Sequence, residues 1–354
     1  MSIQDTITKK KLVVQSKREF LKAGYSLWNE DVKSNAFDFI AKKNNLTDSR
    51  SCQQKIITKV LVDLDLFKKQ TSIELQLISK LISGFPLLVA HSAAGKNIEQ
   101  ATLYRRHNVS AISLKTLQLF FQYEKGESSI KISKFAHRGG VFVNLSKEKF
   151  KARRKRLELD ITILAKKVGI SRQSLYKYEK GERFPKIKYF KILSNILGDN
   201  LDIHLDILEN QFENIGQQAL KEYKQPKSQL QKEVASYLAD KEFSVLWFKS
   251  EPFDGLSEPN TDQSSSSNQV DTLYPMITGV TSLNERNDST RLLLINSLSR
   301  FLKKKAIWFM DDDIEHMKFS KELPLLTMIN ISDLEGMALI DFKNILNKER
   351  IPKP

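Results

Sequence analysis

Leu164–Pro185 reads LAKKVGISRQSLYKYEKGERFP, and its punctuation fixes two short helices and the turn between them. Asp160 is a side-chain N-cap ahead of Ile161–Val168, where Ile161, Leu164, Ala165 and Val168 share one face. Gly169 ends that helix, because the chain must turn through a left-handed conformation that glycine adopts without a Cβ penalty. Ile170 is an apolar plug, Ser171 caps a helix over Arg172–Lys180, and Gly181 closes it. A fourth helix runs from Pro185 to Leu197 and turns Phe190, Leu193, Ile196 and Leu197 inward. Upstream, Ser146 caps a helix reaching Leu157, with Phe150 and Leu157 on one side and Lys or Arg on the others.

Two short helices joined by a tight glycine turn form a helix-turn-helix, and the small Ala165 lets them approach closely. In the second of them Leu175 and Tyr178 fall on the buried side. Ser171, Arg172, Gln173, Ser174, Tyr176 and Lys177 are left outward near its N-terminal half. Those positions meet base edges when such a helix lies in the major groove. Arginine reads guanine through two bonds, and glutamine reads adenine. Lys180, Arg183, Arg153, Arg154 and Lys155 suit phosphate contacts, which add affinity without sequence choice.

The charge agrees. The 354-residue chain carries +15, yet Lys131–Lys191 alone holds 19 Lys and Arg against 5 Asp and Glu, a surplus of 14. Val245–Pro354 holds 13 against 16. Uncompensated like charges destabilise a compact fold, and a polyanionic partner removes that cost.

These residues carry a resemblance. The spacing of Leu164, Ala165, Gly169, Ile170, Ser171, Leu175, Tyr178, Glu179, Gly181 and Pro185 is similar to that of the Cro-like, phage-repressor (XRE) class. The resemblance implies a five-helix bundle that binds operator DNA, usually as a dimer. In wider context the chain resembles a group of archaeal transcriptional regulators. These place a glycine pair before the motif, here His137–Val143, and end it with an Ile-Leu-Gly segment, here Ile196–Leu201.

The flanks look like two copies of one unit. Phe37–Ile40 parallels Phe253–Leu256, and the stretch 55–90 parallels 274–309: apolar strand, polar stretch, amphipathic helix, apolar strand. Asn108–Leu117 likewise parallels Leu323–Leu334. Thr71 and Glu74 form a capping box at the start of the first copy's helix. Strand–helix–strand order implies parallel pairing through a crossover helix. The layout resembles the restriction-endonuclease-like fold, the PD-(D/E)XK group. In that group an aspartate precedes one strand, an acidic-x-Lys sits on the next, and the carboxylates hold a metal that activates water. Asp38 and Lys59 match, but Ile57 stands where the second carboxylate belongs. In the second copy the corresponding residues are Asp254, Ile277 and Gly279. Both copies read as inactive, and their expected use is dimer contact, DNA grip or ligand binding.

The expected fold is α/β plus all-α: a central helical Cro/XRE-like bundle between two small α/β domains that resemble degenerate restriction-endonuclease-like folds. The expected boundaries are 1–130, 131–224 and 225–354. A helix over Leu205–Tyr223, a linker at Gln225–Gln231 and a surface loop at Glu258–Asn268 complete the outline.

The expected function is a sequence-specific transcriptional regulator, not an enzyme, that needs no cofactor. Its expected partners are double-stranded DNA and a second copy of itself on a palindromic operator; no effector can be named. Two other readings stay open: a metal-dependent nuclease targeted by the helix-turn-helix, and an architectural protein binding nucleic acid without sequence choice. No apolar run spans a bilayer and no secretory signal opens the chain, which points to the cytoplasm. The single Cys52 excludes an internal disulfide and a thiolate zinc site. The five histidines form no i,i+4 pair, and Asp311–Asp313 lacks calcium-loop spacing.

Overall fold

The computed structural model describes residues 8–28, 34–43, 54–208, 217–249, 251–260, 275–281, 288–310, 326–334 and 336–347. Cys52, His316, Asp311–Asp313 and most of the expected 258–268 loop lie outside them.

The first unit runs α1 (Lys9–Lys22), β1 (Tyr25–Trp28), β2 (Phe39–Lys43), β3 (Lys55–Asp63), α2 (Lys69–Leu81), β4 (Phe85–Ala93), β5 (Lys96–Asn97), β6 (Thr102–Arg106), β7 (Val109–Ile112) and α3 (Leu114–Glu124). A hairpin follows, β8 (Lys134–His137) and β9 (Gly140–Val143). Next come four helices, α4 (Lys147–Arg156), α5 (Ile161–Val168), α6 (Arg172–Lys180) and α7 (Ile187–Leu197), and then the short α8 (Gln217–Tyr223). The last unit is α9 (Gln229–Asp240), β10 (Phe243–Trp247), β11 (Gly255–Pro259), β12 (Met276–Thr281), α10 (Asp288–Leu302), β13 (Ala306–Met310), β14 (Leu326–Asn330) and α11 (Leu339–Asn347).

The two sheets share one plan. The first is ordered β1-β2-β3-β4-β7-β6-β8-β9, and its first four pairings are antiparallel, antiparallel, parallel, parallel. The second, β10-β11-β12-β13-β14, repeats those four directions in the same order. The parallel β3–β4 and β12–β13 pairs are bridged by α2 and α10, the crossover that parallel strands require. Central strands buried on both faces read as apolar runs, as in Phe85–Ala90 and Ala306–Met310.

Burial divides the molecule into layers. One apolar cluster joins the inner faces of both sheets through α2 and α10, with Ile57, Leu75, Ile78 and Leu88 from one unit and Ile277, Leu292, Ile295 and Trp308 from the other. A second cluster seats α1 and α3 on the outer face of the first sheet, and a third seats α9 and α11 on that of the second. Polar bonds cross the shared core: Trp28 Nε1 donates to Ser297 Oγ at 3.1 Å and Lys42 Nζ to the Phe301 carbonyl at 3.1 Å.

Several expectations are corrected. Thr71 does not begin a helix: α2 starts two residues earlier behind Lys68, which makes no side-chain cap bond. Ser72 and Glu74 are buried, with Ser72 donating to the His107 carbonyl and Glu74 accepting from Tyr223. The helix expected over Leu205–Tyr223 does not start at Leu205. Leu205 N–H bonds the Ile132 carbonyl at 2.7 Å, and the Asp206 carboxylate takes the Leu208 N–H at 2.8 Å, a local turn that competes with helix. Among the described residues of that stretch only Gln217–Tyr223 is helical, and Tyr223 packs against Phe248 in the shared core. The linker is shorter than expected, since Ser228 caps α9 from Gln229 onward. At the first boundary, β8 pairs with β6, so residues just beyond 130 belong to the first sheet.

Candidate nucleic-acid interface

The helical centre is built as its capping residues dictate. Ser146 accepts from Lys149 N–H, Asp160 from the N–H groups of Thr162 and Ile163, and Ser171 from Ser174 N–H, each satisfying otherwise orphaned donors. The Thr162 N–H and side chain, with lesser help from Arg172, hold the Asp160 carboxyl below the usual aspartate range. Gly169 and Gly181 both adopt left-handed conformations, at φ 77° and 76°. At Gly169 the turn is closed by bonds from the N–H groups of Gly169 and Ile170 to the Ala165 carbonyl.

A small core of Phe150, Leu164, Ala165, Val168, Leu175, Tyr178, Leu193, Leu197 and Leu201 holds the helices at fixed angles. Its strongest polar tie joins α4 to α6. Arg154 grips Glu179 with Nε at 3.2 Å and Nη2 at 2.9 Å, and also donates to the Leu159 carbonyl at 2.8 Å. Only 17% of the Arg154 side chain and 9% of Glu179 stay exposed. A bidentate pair so shielded is worth more than an ordinary surface ion pair.

This alters the expected roles of two arginines. Arg154 is spent on Glu179, and Arg153 donates to the carbonyls of Leu197 and Asp199, satisfying the C-terminal end of α7. Both guanidinium groups are thus engaged within the domain, where the sequence pointed to phosphate contacts. Lys155 remains exposed on α4. The motif spacing drew attention to Glu179, but only the fold reveals which cation meets it.

The remaining candidates converge. Arg172, Gln173, Tyr176, Lys180 and Arg183 are exposed, and Ser174 and Lys177 half-buried. Leu175 and Tyr178 are buried on the opposite side of α6. The Lys180 ammonium lies 5.5 Å from the Tyr176 ring, which orients both on one surface. Ser171 is exposed but works as the cap, with Oγ donating to Ser174 Oγ at 3.0 Å. The result is one polar, cationic face on a helix whose apolar side is locked into a core. The centre of the chain is a helix-turn-helix domain of the Cro-like class.

The comparisons agree with that geometry. A helix-turn-helix family model matches residues 151–202, and a PD-(D/E)XK superfamily domain model matches residues 9–125. The chain is 25% identical over 327 residues, 89% of its length and 90% of the relative's, to a protein of Methanococcus maripaludis. It is 23% identical to one of Methanocaldococcus jannaschii over 90% of both chains. A Pyrococcus horikoshii protein is 28% identical over 68% of this chain and 70% of its own. All three carry the provisional name of HTH-type transcriptional regulatory protein. No solved structure matches the chain. Among the described residues, no helix is long and apolar enough to cross a membrane.

The nuclease-like positions do not fit a divalent ion. Lys9 Nζ sits 2.8 Å from Asp38 Oδ1 and Lys59 Nζ 3.8 Å from Oδ2, so two ammonium groups occupy the carboxylate. Its Oδ2 also accepts the Val60 N–H at 2.7 Å. Ile57 is fully buried at the second acidic position. Among the described residues no cluster of three or more His, Cys, Asp or Glu could hold a metal.

Proposed function

We propose that this protein is a sequence-specific DNA-binding transcriptional regulator, with α6 lying in the major groove. The observation that carries the reading is the exposed Arg172–Gln173–Tyr176 face on a helix anchored by Leu175, Tyr178 and the Arg154–Glu179 pair. Arg172 and Gln173 are the base readers; Ser174, Tyr176 and Lys177 flank them, and Lys155, Lys180 and Arg183 meet phosphates. The names of the relatives point the same way.

The finer reading is a homodimer on a palindromic operator, with recognition helices ~34 Å apart. The two α/β units cover each other's α2 and α10 faces within one chain, so a second protomer must dock elsewhere. The C-terminal unit is a degenerate copy of the first, supported by the repeated strand order, and the protein works without catalysis in the cytoplasm.

Selection of bound fragments from genomic DNA tests the whole reading: a recurring motif supports it, and enrichment without any motif refutes it. On the selected site Arg172→Ala should cost ~1–3 kcal/mol and relax choice at one base pair. Equal losses on selected and random duplexes would remove Arg172 as a base reader.

A second reading, a nuclease guided by the helix-turn-helix, draws on the PD-(D/E)XK match. It requires magnesium-dependent nicking of plasmid DNA that Asp38→Ala abolishes.

A further inference from the structure

The β8–β9 hairpin is not accounted for by the helix-turn-helix. Its base belongs to the first α/β unit, where β8 pairs with β6 (Thr102 opposite Lys134, Leu103 opposite Phe135). The same base, where Lys134 and Phe135 face Val143 and Phe142, also touches the helix-turn-helix domain. Phe142 forms an antiparallel bridge with Lys186, and Val143 N–H donates to the Pro185 carbonyl at 3.0 Å. Phe135 packs edge-on against Phe184 at 5.1 Å and stacks with Phe142 at 6.0 Å. The hairpin is thus clamped to residues 184–186, the segment directly after α6 and Arg183.

The tip then runs on past the clamp. His137, Arg138, Gly139 and Gly140 are all exposed. Gly139 and Gly140 take φ 94° and 129°, and an added Cβ would meet nothing within 4 Å at either. The glycines therefore serve the turn's conformation and not a close contact within the protein. Arg138 makes no hydrogen bond or ion pair with any described residue, unlike Arg153 and Arg154 in the same domain. A two-stranded finger, bonded to the segment that follows α6 and ending in an exposed guanidinium, has the form of a groove-reaching arm.

We propose that the β8–β9 hairpin is a second DNA-contacting element that lays Arg138 into the minor groove beside the major-groove segment read by α6. The inference rests on the DNA-binding reading above. Arginine suits the site, because a narrow minor groove concentrates negative potential. The arm would lengthen the footprint to one side of the recognition helix and favour A·T-rich flanking sequence.

The test uses the full chain, a 40-base-pair duplex carrying the selected site with an A·T-rich flank, and the same duplex with a G·C-rich flank. Hydroxyl-radical footprinting reads minor-groove protection, and titrations at several salt concentrations read affinity. With wild type, protection should extend into the A·T flank. Arg138→Ala should lose that patch, weaken binding about 5- to 10-fold, reduce the salt slope by about one and erase the flank preference. Arg172→Ala should keep the patch. Unchanged protection and slope in Arg138→Ala, with wild type bound, would overturn the arm alone. Failure of wild type to bind either duplex would overturn the DNA-binding reading itself. Arg138 is exposed, so the variant folds, and an unaltered melting curve checks this.

Discussion

Asp38 and Asp254 stand at the same place in two sheets of one plan, yet their surroundings have parted. Asp38 N–H bonds the Thr58 carbonyl and Asp254 N–H that of Thr278; each Oδ2 accepts a backbone N–H at 2.7 Å, from Val60 and Val280. From there the two units differ. In the first, Lys59 projects from β3 toward the carboxylate. In the second, Gly279 takes that strand position because the Trp308 ring lies over it; a Cβ there would come within 2.2 Å of Trp308 Cε3. The cation arrives instead from α10: Arg291 lies 5.4 Å over the Trp308 ring and reaches Asp254 Oδ2 at 2.8 Å. Backbone anchoring of the aspartate persists in both units, while the groups a metal site would need do not.

Trp308 is where the comparison breaks most visibly. It is fully buried in the core common to both units, and Trp308→Ala should cost about 3–5 kcal/mol in chemical denaturation. Leu88→Ala, at the matching strand position, should cost less because a smaller cavity opens. Equal costs would mean that cavity size does not set the cost at this strand position.

Glu251 sharpens the contrast, because the second unit inserts it against the first. Its carboxylate accepts from the Ser34 hydroxyl and from the Ala36 N–H at 3.0 Å. Burial pushes it up to about 7, against the opposing pull of those two bonds and Lys59 and with Glu74 adding to the rise. An acid with a raised folded pKa binds its proton more tightly when folded. Its contribution is therefore full at low pH and fades as pH climbs from about 4.5 toward 7, by about 3 kcal/mol. Denaturation midpoints should fall over that interval, and Glu251→Gln should flatten the fall. An unchanged pH profile in the variant would place the titration elsewhere.

Asp254→Ala should cost about 1–3 kcal/mol, since it strips the half-buried Arg291 of a carboxylate and leaves the Val280 N–H without its acceptor. The smallest effect should come from magnesium. Millimolar Mg2+ should leave the melting temperature unmoved, because Lys9 and Lys59 already neutralise Asp38. A clear upward shift would restore the first copy as a metal site.

Much of this was legible in the chain, for identifiable reasons. The caps Ser146, Asp160 and Ser171 and the glycines 169 and 181 act within a few residues, so local chemistry placed α4–α6 closely. The shared plan of the two α/β units could be read because apolar strands and amphipathic helices recur in one order. What stayed hidden depends on distance along the chain. Arg154 meets Glu179 25 residues away, and Arg153 meets Asp199 46 residues away, so two of the three α4 cations expected on phosphate are engaged inside the domain. Glu251 and Ser34 lie 217 positions apart. The Leu205 region resembled a helix because nothing local announced its return to Ile132.

That return has a mechanical meaning. The chain leaves the first unit along residues 131–145 and comes back beside itself, with Ile203 N–H on the Asn144 carbonyl, Leu205 N–H on that of Ile132, and His204 stacked on Tyr123 at 4.4 Å. A two-ply stalk resists twisting in a way that a single strand of linker does not. The helix-turn-helix domain therefore inherits its orientation from the first α/β unit, and cutting the return strand's bonds should loosen that orientation without unfolding either part.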